Sequence, residues 1–200
     1  MAPKTPYTPL STKGSEIRVL TLLPSPGEPD RPIQCRLRVV SLNNNPEYEA
    51  LSYVWGNTAE RKPIEVDGCE MQVTTNLEAA LRRLRHATHE RYLWVDALCI
   101  DQDNVEEKET QIPLMEKIYT LAAPALIWLG ETTSPDLDAF FSIANEEPKD
   151  RQRRIARTVL CFHPWERRKT YAAQAFCGMM ELVSLPYWSR MWTIQEFWLP

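Results

Sequence analysis

The chain has 200 residues, 44% hydrophobic and 25% charged, which suits one domain with a sizeable core. Its 23 basic and 27 acidic side chains leave a net charge of -4, which offers no general attraction to phosphate backbones and argues against nucleic acid as a partner. Five widely spaced cysteines without a CxxC pair, and three histidines not grouped with them at ligand spacing, read as buried reduced thiols; this argues against a metal or disulfide role and for a cytoplasmic protein.

Residues 1–14 are rich in proline, threonine and lysine and read as a flexible lead to a domain over 15–200. No stretch is long enough to cross a bilayer, so no membrane is expected as a partner. Glu16 to Leu23 and Gln34 to Leu42 read as strands that form an N-terminal β-hairpin, separated by a loop with four prolines. Tyr48 to Val54 reads as a third strand, stopping at Trp55-Gly56, and Ile64 to Val73 as a hairpin turning at Asp67-Gly68. Thr75 and Glu78 form a capping-box pattern ahead of a helix with apolar positions Leu77, Ala80, Leu81 and Leu84. Next come a short apolar strand from Tyr92 to Leu98 interrupted by Asp96, a helix from about Asn104 to Ala122, and a strand from Ala125 to Leu129. This alternation predicts an α/β fold, a parallel sheet flanked by helices. Beyond Gly130 the pattern is helical: Asp136 to Ala144, Asp150 to Phe162, Thr170 to Val183, and a last helix from Pro186. The chain stops just after that aromatic helix, so it reads as the N-terminal part of a longer protein.

Three segments carry polar groups where pattern alone would place apolar ones. They are Tyr48-Glu-Ala-Leu-Ser-Tyr-Val-Trp-Gly56, Leu93-Trp-Val-Asp-Ala-Leu-Cys-Ile-Asp-Gln102 with Glu107 and Gln111 following, and Tyr187-Trp-Ser-Arg-Met-Trp-Thr-Ile-Gln-Glu196. In this order they resemble the HET family of filamentous fungi, the death-triggering domain of heterokaryon incompatibility proteins, over Ile17 to Phe197. Asp101 stands where that family's second block has asparagine, and Lys108 where an arginine follows the glutamate.

The residues can also be weighed on their own. Glu107 and Gln111 project onto the same stripe of the second helix as Leu114, Met115, Ile118, Tyr119 and Ala122, and Pro113 falls on the far face. A carboxylate heading a buried stripe must be paired, hydrogen-bonded or facing a cleft. Favourable placement at a helix N-terminus is an equally good account of Glu107. Asp96 inside an apolar strand needs a partner, and Arg190 is the candidate. Trp55 and Gly56 end one strand and Asp101 and Gln102 follow the next, at the rim where open parallel sheets place their ligand crevice, while Tyr53 on its strand reads by default as core. Trp188, Trp192, Gln195 and Glu196 share one helix face, an aromatic wall carrying an anion.

The resemblance extends, one step further, to TIR domains of flavodoxin-like fold, with the segment from Glu131 to Pro186 as a helical insertion. Some TIR domains cleave NAD with a glutamate that would correspond to Glu196. The implied activity is hydrolysis of the nicotinamide–ribose bond, with NAD as substrate, no cofactor and no metal, Glu196 and Glu107 as catalytic candidates, and self-association on activation. The binding candidates are Tyr53, Trp55, Gly56, Asp96, Asp101, Gln102, Gln111, Arg190 and Trp192. A non-enzymatic docking module and a nucleotide sensor without turnover remain open alternatives.

Overall fold

Strand β1 (Glu16–Leu22) is buried along all six residues from Ile17 to Leu22. A strand covered on both faces belongs in the middle of a sheet, and β1 is the fourth of seven strands. The computed structural model describes residues 5–11, 14–27, 31–131, 134–144 and 171–189. The chain divides into two units, one of residues 1–130 with 190–200 and the other of residues 131–189.

In the first unit, β2 (Gln34–Ser41) runs antiparallel to β1 from Glu16↔Ser41 to Leu22↔Cys35, forming the expected N-terminal hairpin. The hairpin of β4 (Arg61–Val66) and β5 (Cys69–Thr74) closes through Asp67 and Gly68. Both turn residues have positive φ, 50° and 72°, as the Asp-Gly pair predicts for a type I′ turn. β3 (Glu49–Tyr53), β6 (Arg91–Trp94) and β7 (Ala125–Trp128) complete the order β5-β4-β2-β1-β6-β3-β7.

The fold is α/β, but the sheet is mixed rather than parallel. Pairs β2–β4, β3–β6 and β3–β7 are parallel, while β1–β2, β1–β6 and β4–β5 are antiparallel. The parallel part, β6–β3–β7, has the second, first and third of its strands side by side, so the strand order reverses at β3.

Helix α1 (Thr75–Leu84) is capped one residue earlier than the sequence pattern suggests. The Thr74 hydroxyl accepts from the Leu77 amide, and Glu78 pairs with Lys62 and Arg82 instead of closing a capping box. The strand expected over Tyr92 to Leu98 ends at Trp94. Asp96 begins a one-turn helix, α2 (Asp96–Cys99), which removes the need for a carboxylate inside a strand. The long helix expected from Asn104 to Ala122 is broken into α3 (Val105–Gln111), a 3-10 turn (Ile112–Leu114) and α4 (Met115–Leu121). Pro113 is exposed in that turn, because its ring and missing N–H cannot continue the α-helical ladder.

The core of this unit gathers Ile17, Leu20, Leu51, Leu81, Leu93, Trp94 and Ile118 around the sheet centre. Burial also pushes the Cys35 and Cys99 thiols up to about 12, so both are inert.

In the second unit, α5 (Pro135–Ala144) packs on α6 (Tyr171–Val183), the helical insertion expected after Gly130. Gly178 makes the approach possible, since a Cβ there would collide with the backbone of Asp136 and Leu137. Ser134 donates to Glu181 at 2.7 Å across the same contact. The helix expected over Asp150 to Phe162 lies outside the described residues. Of the last expected helix, Pro186–Ser189 is described and forms a 3-10 turn. No helix among the described residues is long and apolar enough to cross a membrane.

Candidate functional site

Strands β3 and β6 are parallel neighbours, and each is followed by a residue singled out in the sequence. Trp55 follows β3 and Asp96 follows β6, and the Trp55 indole Nε1 donates to Asp96 Oδ2 at 2.8 Å. The other Asp96 oxygen accepts from the Ala97 amide at 2.7 Å. Gly56, exposed with φ of 75°, turns the chain immediately past Trp55. Among the described residues, Trp55, Asp96, Ile100, Gln102, Lys108, Ile112 and Met115 surround an open cleft of about 200 Å³. This is the strand-end rim where α/β sheets bind ligands. The neighbouring ends of β3 and β7 are instead tied by Asn76, which donates to the Val54 carbonyl at 2.5 Å and accepts from Trp128 Nε1 at 2.9 Å.

Gln102 staples the cleft loop onto itself, its Nε2 donating to the Asp96 carbonyl at 3.0 Å. Lys108, on α3, reaches the same loop and donates from Nζ to the Gln102 carbonyl at 2.9 Å. Apolar Ile100 and Met115 form the buried part of the lining, while Ile112 is 41% exposed.

Behind the loop lies a buried ion pair. Arg18, facing the same side of β1 as Leu20 and Leu22, is 1% exposed and clasps Glu107 with two donors, Nη1 at 2.5 Å and Nη2 at 2.9 Å. Glu107 Oε1 also accepts from the Asp101 amide at 2.7 Å, so the carboxylate holds the loop from beneath. Burial works to raise the Glu107 pKa, but the bonds from Arg18 and the Asp101 amide outweigh it and hold the carboxyl below its usual range. The rest of the Arg18 guanidinium donates to the carbonyls of Cys99 and Thr8 and stacks 4.9 Å from the Tyr7 ring centre. Residues of the N-terminal lead therefore join the same network.

The structure thus brings Trp55, Asp96 and Gln102 into one cleft and places Glu107 and Asp101 just behind it. The Asp101 carboxylate accepts from the Asp103 amide instead of lining the cleft. Tyr53 is 2% exposed at the end of β3 and belongs to the core. Gln111 is equally buried; its Nε2 donates to the Glu16 carbonyl at 3.0 Å, and its Oε1 meets no donor among the described residues. Arg190, Trp192 and Glu196 lie outside the described residues, and among the described ones Asp96 accepts from the Trp55 indole and the Ala97 amide. Sequence reasoning missed Arg18 altogether and noted Lys108 only as a departure from a family pattern. The signal for Arg18 was available: a single cation alternating with leucines on the buried side of an apolar strand.

An α/β domain with a polar rim cleft, and three blocks of unusual composition arranged around it or following it, defines the class. The family model for heterokaryon incompatibility protein (HET) matches residues 48–196, so the chain belongs to the HET family. It is 29% identical over 223 residues to heterokaryon incompatibility protein 6, OR allele, of Neurospora crassa. That alignment covers 95% of this chain and 33% of the relative, so the chain spans about a third of that protein's length. No solved structure matches the chain.

Proposed function

We propose that this chain is a cell-death effector domain of heterokaryon incompatibility, acting by hydrolysis of the nicotinamide–ribose bond of NAD when copies associate. The observation that carries the reading is the Trp55–Asp96 pair, an indole and a carboxylate locked together at 2.8 Å on the rim of a cleft whose floor is formed by Ile100 and Met115. The indole offers a face to an aromatic cation, and the carboxylate offers compensation for positive charge. A volume of about 200 Å³ suits one ring and its attached ribose, with the remainder of a dinucleotide outside.

The chemistry asks little else. As the C1′–N bond breaks, its electron pair passes to the pyridinium nitrogen, and nicotinamide leaves neutral. Positive charge builds on the ribose, where a fixed carboxylate stabilises it. Water then adds to C1′ and gives up a proton, yielding ADP-ribose. In this reading Glu196 supplies the stabilising carboxylate. Glu107, with its oxygens engaged by Arg18 and Asp101, acts by holding the cleft loop in position. The competing docking reading draws support from the second unit, where Phe176, Met180 and Val183 are exposed on α6 at helical spacing.

The test is nicotinamide release from NAD across a dilution series, beside thermal melts of wild type, Glu196→Ala and Glu196→Gln. Turnover per mole should rise with protein concentration, and the folded variants should lose about two to three orders of magnitude in rate. Folded variants with wild-type turnover would refute the role of Glu196. A folded wild type without turnover at any concentration would leave the docking module as the better account.

A further inference from the structure

The cleft carries opposite charges at different positions along its lining. Asp96 is held at the β6 end by Trp55, and Lys108 stands on α3 with its ammonium pinned to the Gln102 carbonyl at 2.9 Å. Among the described residues, the ion pairs join Arg18, Arg36, Lys62, Arg82 and Arg91 to glutamates, and Lys108 takes part in none of them. An ammonium has three N–H donors, and the backbone carbonyl uses one. A lysine set in a half-enclosed cleft, oriented by a backbone bond and without a carboxylate partner among the described residues, is a ready position for an anion. An isolated solvated lysine would show no such fixed geometry.

We propose that Lys108 is the phosphate-recognising residue of this cleft, so that its ligand is a nucleotide whose phosphate meets Lys108 while its aromatic ring meets Trp55 and Asp96. The inference rests on the reading of the cleft as a nicotinamide-nucleotide site and assigns it polarity. A cationic ring near the carboxylate and an anionic phosphate near the ammonium match the two ends of nicotinamide mononucleotide. Lys108 then determines specificity: it separates phosphorylated from unphosphorylated ligands and takes no part in bond cleavage.

Nicotinamide mononucleotide and nicotinamide riboside differ by that one phosphate, so their affinities isolate it. Calorimetric titration of both into wild type, Lys108→Met and Lys108→Arg gives the comparison without any need for turnover. Wild type should prefer the mononucleotide by about tenfold or more, the worth of one charge-assisted hydrogen bond. Lys108→Met should shrink that preference to about twofold or less, whatever it does to the affinity common to both ligands, and Lys108→Arg should restore it. A Lys108→Met protein that keeps the full preference, or a wild type that has none, overturns the inference. ADP separates this from a failure of the nicotinamide reading. If wild type binds neither nicotinamide ligand yet binds ADP in a Lys108-dependent way, phosphate recognition stands and the nicotinamide reading falls. Binding of none of the three overturns both.

Discussion

Asp96 and Glu107 lie eleven residues apart in the chain, serve the same loop and meet opposite environments. Glu107 is 8% exposed, is clasped by two guanidinium donors and a backbone amide, and is not part of the cleft lining. Asp96 is half-buried, accepts from the Trp55 indole and the Ala97 amide, and lines open space. A carboxylate clasped by a guanidinium and set away from the cleft is a brace. One held in place but still facing a cleft can answer to a ligand. The difference lies in which neighbours the fold supplies, not in the acid itself.

The sharpest way to break that comparison is to remove one side of the buried pair. Arg18→Met should cost about 3–5 kcal/mol, because Glu107 is left as an uncompensated charge away from water. Glu107→Gln should cost less, since the amide still accepts from the Asp101 amide while Arg18 loses its counter-charge. The double variant Arg18→Met/Glu107→Gln should be more stable than Arg18→Met alone, because no buried charge is left over. Thermal melts of the three read this directly. Additive losses would show that the two side chains do not act as a pair.

Much of the cleft was legible in the sequence, and the physics explains which part. Trp55, Asp96 and Gln102 stand at ends of strongly patterned segments, where a polar or aromatic residue has no packing reason to be. Local pattern also located both hairpins and the helical region after Gly130. Arg18 was legible as a lone cation among the leucines of an apolar strand, but its pairing was not, because the partner is 89 residues away and nothing local announces it. The mixed sheet was hidden for the same reason. The strands alternate with helices as in a parallel sheet, yet the hairpin strand β1 inserts beside β6, a choice fixed by burial on both faces. Lys108 became informative only once α3 placed it against the Gln102 carbonyl. The break at Pro113 was partly legible: the proline was placed on the outer face, but not the loss of a helical turn.

The buried pair also sets a pH dependence. Burial tends to raise the Glu107 pKa, but the bonds from Arg18 and Asp101 prevail and hold it below its usual value of 4.5. A carboxyl with a depressed folded pKa contributes stability that is present above the unfolded value and is lost as pH falls through the folded one. Stability should therefore decline below about pH 4.5. Glu78 shares the behaviour: burial opposes its ionised form, but bonds from Lys62 and Arg82 hold its pKa down. Glu107→Gln should thus flatten the acid limb only in part. Melts of wild type and Glu107→Gln between neutral pH and pH 3 measure the share, and parallel curves would show that the pair is not linked to the acid transition.

The smallest effect on stability belongs to the open side of the comparison. Trp55 is 38% exposed, so in Trp55→Phe water can replace the indole N–H at Asp96 Oδ2. The cost should stay within about half a kcal/mol, the ordinary range for a substitution near the surface. The consequence for the cleft is larger than that figure suggests. Phenylalanine keeps an aromatic face but no longer anchors the carboxylate, so Asp96 can turn toward water and the charge facing a ligand loses its fixed direction. Affinity for a cationic aromatic ligand such as nicotinamide riboside should therefore fall several-fold while the melting temperature barely moves, about the reverse of what Arg18→Met does. The two measurements together decide the matter. A Trp55→Phe protein destabilised as much as Arg18→Met would make the rim pair a structural lock like the one beneath it. Unchanged stability with unchanged affinity would mean that Asp96 needs no anchor, and that the indole serves the ligand by its ring alone.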